Sequence, residues 1–545
     1  MMKILICDGL DESGLKILRS AEGIEADMPD GLSAVEIKGI LPEYDAMIVR
    51  SRTKVTADLI ESAARLKVVG RAGTGVDNID VEAASARGVL VMNTPGANAM
   101  AAAEHALALM LSLARHVPQA TDSMRHGLWE KKKFLGTELF HQTLGILGLG
   151  KIGSIVADRA LAMKMRVLVY DPHIVPEMAA VLGAEYVSFD DLLAGSDFIT
   201  LHTPHTDETH WMLNRQTLAK TKPGVRIVNC ARGGLIDEQA LGEFLSKGHV
   251  AGAALDVFEK EPPTGSPLLD MPNVIFTPHL GASSLQAQEN VSLAISSQIL
   301  DYLQRGLIRN AINFPSISMK DYERLRPYLL LAERLGNLQG QLCSPVLKLE
   351  ITYAGSDLQE IPIQPLTQTV IKGLLDPIMA EKVNLINAPL ILKQRGIELT
   401  ASTTSQSRGY TGEITVTVRG RGKEEYSASG AVFLGQQARL VRLNDYMLEA
   451  ELEGINLIIQ NLDKPGTIGH IGTTLGSFNV NIANMHLARN RERDKAIAIV
   501  RIDNEAPPEA LEILRTHPSI VFVQQVKLPG AFLTTKSTKN TKKNR

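Results

Sequence analysis

The fold is decided by residues 143–171, TLGILGLGKIGSIVADRALAMKMRVLVYD. Residues 144–148 are apolar, as a strand buried on both faces of a parallel sheet must be. Gly148, Gly150 and Gly153 then set out G-x-G-x-x-G and open a helix that reaches about Met163. A second strand, 166–170, ends beside Asp171, 18 residues beyond Gly153. A glycine-rich turn is often only a turn. This one has a strand before it, a helix after it and an acid closing the next strand, the setting of a dinucleotide-binding βαβ unit. Gly148 allows the tight turn, Gly150 lets the backbone approach a pyrophosphate, and Gly153 lets helix and strand pack closely. The helix N-terminus faces the phosphate charge. Asp171 is expected to accept from the adenosine ribose hydroxyls and to repel a 2′-phosphate, so NAD is favoured over NADP.

Working outward, apolar runs at 198–201, 226–229, 253–257 and 274–277 continue this sheet, with helical segments between most of them. On the N-terminal side, residues 1–95 alternate apolar runs (4–7, 46–49, 68–70, 89–92) with helical stretches such as 14–20 and 57–64. That is a second βαβα pattern, without a glycine fingerprint. Between the two, the Ala/Leu-rich segment 99–114 predicts one long helix whose limit is marked by Pro118. Residues 283–305 predict an amphipathic helix that pairs with it as a hinge. The first domain is therefore expected to be discontinuous.

The expected divisions are a flavodoxin-like substrate domain, 1–97 and 285–316, interrupted by a Rossmann-type α/β domain, 98–284. After Pro315 the character changes to an α+β module, 317–450, with strands at 347–353, 413–418 and 425–433 and no catalytic motif. Residues 451–530 then read βαββαβ, a small sheet covered on one face by two helices. The end, 531–545, is expected to be a disordered basic tail.

Composition fits this plan. With 545 residues, about three or four domains are expected. Hydrophobic residues at 44% and charged residues at 21% exclude wholesale disorder, and a net charge of -3 argues against a nucleic-acid binder. Three distant cysteines, Cys7, Cys230 and Cys343, supply neither a disulfide framework nor a CxxC metal site, and no metal is expected. The start, MMKILICDGL, lacks the features of a signal peptide, and no apolar run reaches the ~20 residues of a membrane helix. A cytoplasmic protein that does not bind membranes is expected.

Three strings follow the fingerprint, each just beyond a strand end where open α/β sheets place ligands: NCARGG (229–234), DVFEKEPP (256–263) and TPHLGA (277–282). They offer a guanidinium, a carboxylate and an imidazole, the set that oxidation of a 2-hydroxy acid needs. Arg232 can bind a carboxylate through two parallel hydrogen bonds and polarise a forming carbonyl. His279 can remove the hydroxyl proton, and Glu261 can hold the other imidazole nitrogen and favour its protonated form. Singly, each has an ordinary reading as a packed histidine, a solvated arginine or a loop acid. His105, His141, His202, His205 and His210 stay unassigned, and Cys230 reads as a small residue near the cofactor.

GLGKIG, NCARGGLIDEQAL, ALDVFEKEPP and TPHLGAS resemble the corresponding segments of the D-isomer-specific 2-hydroxyacid dehydrogenases. VRSRTKVT, GRAGTGVDNID and NTPGANAMAAAEHALALML are similar to substrate-domain and hinge segments of their long-chain branch. The resemblance implies catalytic roles for Arg232, Glu261 and His279. It also implies cofactor contacts from Thr74, Lys151, Ile152, Thr203, Cys230, Ala231, Arg232, Asp256, His279 and Gly281, with Asp256 the partner of the nicotinamide carboxamide. Arg50, Ser51, Gly73, Thr74 and Asn98 are implied around the substrate, with Arg232 and His279. The implied reaction converts 3-phospho-D-glycerate and NAD to 3-phosphooxypyruvate and NADH, opening a route to serine. A phosphorylated substrate needs more positive charge than Arg232, and Arg50, Arg52, Arg71 and Lys131, Lys132 and Lys133 are available; Arg50 is the expected phosphate contact.

The terminal module resembles an ACT domain, which implies an amino-acid effector, L-serine, held by Asn461, Asp463 and Asn481, the last from a facing subunit. Module 317–450 resembles the intervening domain of the same long chains, and a homotetramer is implied. Two other readings use the same three catalytic residues: a glyoxylate or hydroxypyruvate reductase, and a non-catalytic NAD-sensing scaffold.

Overall fold

The computed structural model describes residues 1–315, 319–421 and 425–530. The tail expected at 531–545 lies outside the described residues. Four sheets follow one another along the chain. The first is built from β1 (Met2–Ile6), β2 (Ile24–Asp27), β3 (Ala46–Val49), β4 (Val68–Arg71) and β5 (Leu90–Met92). All pairs are parallel and the order is β2-β1-β3-β4-β5, the flavodoxin-like winding. β3 and β5 are buried at every position, which is why their sequences show no polar alternation.

The second sheet comprises β6 (Thr143–Leu147), β7 (Arg166–Tyr170), β8 (Glu185–Tyr186), β9 (Phe198–Leu201), β10 (Val225–Asn229), β11 (Val250–Leu255) and β12 (Val274–Phe276). The order β12-β11-β10-β9-β6-β7-β8 reverses direction between β6 and β9, and the crevice at such a reversal is where doubly wound sheets bind ligands. Gly148, Thr203, Cys230, Asp256 and Thr277 all lie just past strand C-termini along this edge.

Two helices carry the chain between these sheets. Ala99–Arg115 leads out of the first into the second, and Leu285–Arg305 returns. The return helix lies so tightly on the first sheet that a Cβ at Gly70 would fall 2.6 Å from Ile299 and 2.9 Å from Ile295, while Asp11 N donates to Ser292 Oγ at 3.1 Å. Pro118 does not mark the end of the outgoing helix. His116 turns the chain in the left-handed region (φ 53°), and Pro118 sits in the first turn of a new helix, Val117–Arg125. Proline is well placed there because the first-turn N–H groups have no intrahelical acceptor.

The third sheet holds β13 (Val346–Ala354), β14 (Glu398–Thr404), β15 (Glu413–Gly420), β16 (Glu425–Phe433), β17 (Gln437–Leu443) and β18 (Tyr446–Glu451), in the order β14-β13-β15-β16-β17-β18. The helix Met319–Leu342 crosses Gln364–Leu375 at close range, with a Cβ at Gly340 or Gly373 meeting the other helix's backbone. The fourth sheet has β19 (Gly454–Leu462), β20 (Ile482–Arg489), β21 (Lys495–Ile502) and β22 (Ile520–Leu528) in the order β20-β21-β19-β22, all antiparallel. Helices Thr467–Ser477 and Pro508–Thr516 complete βαββαβ. The modules are packed together: Asn384 Nδ2 donates to Gly88 O at 2.7 Å, and Arg334, 4% exposed, donates to Glu453 at 3.2 Å.

Candidate active site

The glycine turn has the shape a pyrophosphate requires. Gly148 takes φ 95°, where only glycine is at ease, and a Cβ there would meet His202 backbone at 2.9 Å. Gly153 abuts the Gly148 carbonyl so closely that no side chain fits, whereas nothing stands within 4 Å of a Cβ built at Gly150. That open side is the approach for a phosphate to the N-terminus of helix Lys151–Ala162. Asp171 accepts from Leu149 N and His173 N, both at 2.9 Å, which ties the glycine turn to the end of β7 and leaves each carboxylate oxygen a further lone pair. The chain's own residues therefore fit a dinucleotide. Lys151 reaches across to Pro95 O at 2.9 Å, Ile152 packs against the core of the second sheet, and Thr203 Oγ1 lies 3.6 Å from Met212 Sδ. Burial, with the charge of Asp256, pushes the Cys230 thiol far up, so it stays protonated. Ala231, the residue between Cys230 and Arg232, donates its N–H to Asn229 Oδ1 at 3.0 Å.

Glu261 and His279 meet. His279 Nδ1 lies 2.8 Å from Glu261 Oε2, an exchange between the loops after β11 and β12. This bond and Glu261's charge raise the imidazole above its ordinary value despite burial. Burial pushes the Glu261 carboxyl up, but the His279 bond, its charge and the Phe258 N–H outweigh it and hold Glu261 below the usual range. With Nδ1 engaged by a carboxylate, Nε2 is left for the cleft. His279 has φ 54°, and Asp256 fixes that turn: it is 1% exposed and accepts Leu280 N at 2.7 Å, Gly281 N at 2.8 Å and the Thr277 hydroxyl at 2.5 Å. Burial raises Asp256, yet these bonds and one from His105 prevail and keep it ionised. His105 had no role from sequence; its Nε2 stands 3.2 Å from Asp256 Oδ1 and 3.0 Å from Thr277 Oγ1.

Across the cleft, Arg232 pairs with Asp77 at 3.3 Å, and its charge acts on His279 to oppose protonation. Arg71, the last residue of β4, is lowered by burial and by the like charges of Arg232 and Arg50; its Nε is buried without a hydrogen-bond partner among the described residues. A Cβ at Gly73 would collide with the Arg71 guanidinium, and one at Gly75 with that of Arg232. Glycine at 73 and 75 thus makes room for two cations. Three guanidinium groups converge here from two sheets, an arrangement that an anion would relieve. Thr74 Oγ1 donates to Asn98 Oδ1 at 2.8 Å, Ser51 is exposed, and Asp8 positions the 50–53 loop by accepting Arg50 N at 2.7 Å and Thr53 N at 3.0 Å. Arg52 turns to Asp8 and Cys7 O, Lys131 lies over Trp129, and Lys133 pairs with Glu130, so these charges are engaged elsewhere within the chain. Asp8, Asp77 and Asn78, whose Nδ2 donates to Arg50 O at 2.8 Å, were missed; an Asp directly after an apolar strand was the readable signal for Asp8.

In the terminal module, Asp463 is paired with Arg489 at 2.8 Å and Asn481 donates to Asp503 at 2.7 Å on the surface. Asn461 is 2% exposed and folds its amide back onto Leu462 O, leaving Oδ1 without a partner among the described residues. Among the described residues no hydrogen bond or ion pair joins Asn461, Asp463 and Asn481 to one another. Among the described residues no cluster of three or more His, Cys, Asp or Glu is placed to hold a metal ion, and no helix is long and apolar enough to cross a membrane.

A doubly wound sheet with an open glycine turn and an Arg, Glu and His on its binding edge defines an NAD-dependent 2-hydroxyacid dehydrogenase. Residues 107–281 match the family described as D-isomer specific 2-hydroxyacid dehydrogenase, NAD binding domain. Residues 324–444 match the D-3-phosphoglycerate dehydrogenase intervening domain, and 455–518 the ACT domain. Relatives named D-3-phosphoglycerate dehydrogenase include one from Synechocystis, 44% identical over 97% of this chain and 95% of its own. Those from Methanocaldococcus jannaschii and Bacillus subtilis are 42% and 40% identical over 97% of this chain and 100% of theirs. A solved glyoxylate reductase from Paecilomyes thermophila superposes with TM-score 0.52 at 32% identity, covering 57% of this chain and 98% of that one. The chain belongs to the D-3-phosphoglycerate dehydrogenases, within the D-isomer-specific 2-hydroxyacid dehydrogenase family.

Proposed function

We propose that the chain oxidises 3-phospho-D-glycerate at C2 to 3-phosphooxypyruvate, with NAD held on the glycine turn and over the edge of the second sheet. The observation that carries this reading is the His279–Glu261 pair at 2.8 Å facing a cluster of three arginines. Bound NAD supplies the acceptor for the hydride that leaves C2. His279 Nε2 takes the hydroxyl proton, and Glu261 stabilises the imidazolium that results. Arg232 holds the substrate carboxylate and draws charge onto the forming carbonyl. Arg50 and Arg71 hold the phosphate, while Ser51, Gly73, Thr74 and Asn98 shape the pocket between them. Asp256 has one carboxylate oxygen, Oδ2, with a single protein donor, and would be the residue that accepts from the nicotinamide carboxamide when NAD is bound.

The same reading assigns L-serine to the terminal module as a feedback effector, with Asp463 taking its ammonium group and Asn481 of a facing subunit completing the site beside Asn461. It places the enzyme in the cytoplasm as a homotetramer. The deciding experiment is NADH formation at alkaline pH from 3-phosphoglycerate, compared with lactate and glycerate. Preference for the phosphorylated acid, lost in His279→Ala while NADH still binds, is the expected result. Equal rates on all three acids would overturn the substrate assignment.

A further inference from the structure

We propose that His105 is a positioning residue for the hydride-transfer site, holding the His279 turn in place through Asp256. The inference rests on the reading of His279 as the base. An ionised carboxylate only accepts hydrogen bonds, and the Thr277 hydroxyl already gives its proton to Asp256 Oδ1, so His105 Nε2 carries a proton and donates it. Oδ1 then receives Leu280 N and the Thr277 hydroxyl, and the His105 Nε2–H is shared between Oδ1 at 3.2 Å and the Thr277 Oγ1 acceptor at 3.0 Å, while Oδ2 receives Gly281 N alone. That asymmetry locks the carboxylate plane. The two backbone N–H groups it holds, Leu280 and Gly281, follow directly on a histidine in the left-handed region, a conformation uncommon for a residue with a Cβ, so these bonds help to hold it.

The position of His105 makes it more than one donor among several. It lies on the outgoing helix Ala99–Arg115, one turn past Ala102, whose Cβ is 3.9 Å from where a Cβ on Gly281 would stand. One face of the helix is therefore laid against the Thr277–Gly281 turn. That turn leads directly into the return helix Leu285–Arg305. The outgoing helix is thus hydrogen-bonded to the turn that feeds the return helix, and His105 is the side chain that makes the bond. Among the described residues the imidazole makes no hydrogen bond other than those to Asp256 and Thr277.

The test compares His105→Leu, of similar bulk and unable to donate, with His105→Gln, whose amide N–H reaches the same distance. Steady-state oxidation, thermal melting and NADH fluorescence titration are measured on the full chain, with His279→Ala alongside. His105→Leu is expected to lose about tenfold in kcat with the KM for the acid within about twofold and NADH binding within about threefold. His105→Gln is expected to recover kcat to within about threefold of the parent. An unchanged kcat in His105→Leu, equal losses in both variants, or a loss confined to melting temperature overturns the proposal. Full turnover in His279→Ala instead overturns the assignment of the base, and this inference falls with it.

Discussion

Glu261→Gln isolates the contribution of one charge. The substitution keeps the shape and an acceptor opposite His279 Nδ1, so the 2.8 Å contact survives as a neutral hydrogen bond. A bond to a charged group is worth about 1.5–3 kcal/mol and a neutral one about 0.5–1.5, a difference of about 1 kcal/mol. The two side chains are 49% and 39% exposed, so solvent screening keeps the loss at that lower end. At about 1.4 kcal/mol per factor of ten, the plateau of kcat/KM for oxidation should fall about three- to tenfold. The pH profile moves as well. Oxidation needs the neutral imidazole, and Glu261 raises the pH at which His279 gives up its proton. Its rate therefore climbs as pH rises through that elevated value, and removing the carboxylate should carry the acid limb to lower pH. In the reductive direction, which needs the imidazolium, the alkaline limb should move to lower pH too. Initial rates of NADH formation from the hydroxy acid and of NADH consumption with the keto acid, across pH 5–10, read the two limbs. A variant whose acid limb stays with the parent's would refute the pairing as the source of the shift.

Other outcomes follow from the same geometry. Arg50→Ala and Arg71→Ala should each raise KM about ten- to a hundredfold for the phosphorylated acid and much less for an unphosphorylated analogue; equal effects on both substrates would remove them from phosphate binding. Asp171→Ala should relax the preference for NAD, measurable as a gain in the NADP to NAD ratio of kcat/KM, and an unchanged ratio would assign discrimination elsewhere. Gly153→Ala, which drives a Cβ into the Gly148 carbonyl, should lower the melting temperature and abolish NADH binding in a fluorescence titration. Millimolar serine should slow the parent enzyme and not Asp463→Ala; equal inhibition of both would displace Asp463 from the effector site.

What the sequence made legible was local. The glycine turn, the NCARGG, DVFEKEPP and TPHLGA strings and the terminal βαββαβ unit each carry their chemistry within a few residues, and their strands are short apolar runs that can be read directly. Which of the available cations join Arg232 was not legible, because it depends on how the ends of β3, β4 and β10 face one another across two sheets. His105 was passed over because a histidine in an Ala/Leu-rich helix reads as packing until its partners, 151 and 172 residues away, are known. In the middle module, β14 shows no alternation because nearly all of it is exposed, Glu398 to Thr403. The β17–β18 hairpin did leave a signal, the two-residue turn Asn444-Asp445 between paired Leu443 and Tyr446, with Asn444 at φ 50°.

The paired crossings between the first two sheets constrain how those units move. A body tied at two separate points swings about the line through them and cannot spin on either tie or slide sideways. Rotation about that line is the motion these two ties leave freest for the cleft between the arginines and His279. Lys151 on Pro95 O and Arg232 on Asp77 bridge the two units across that cleft, so they are the contacts that such a rotation would stretch first.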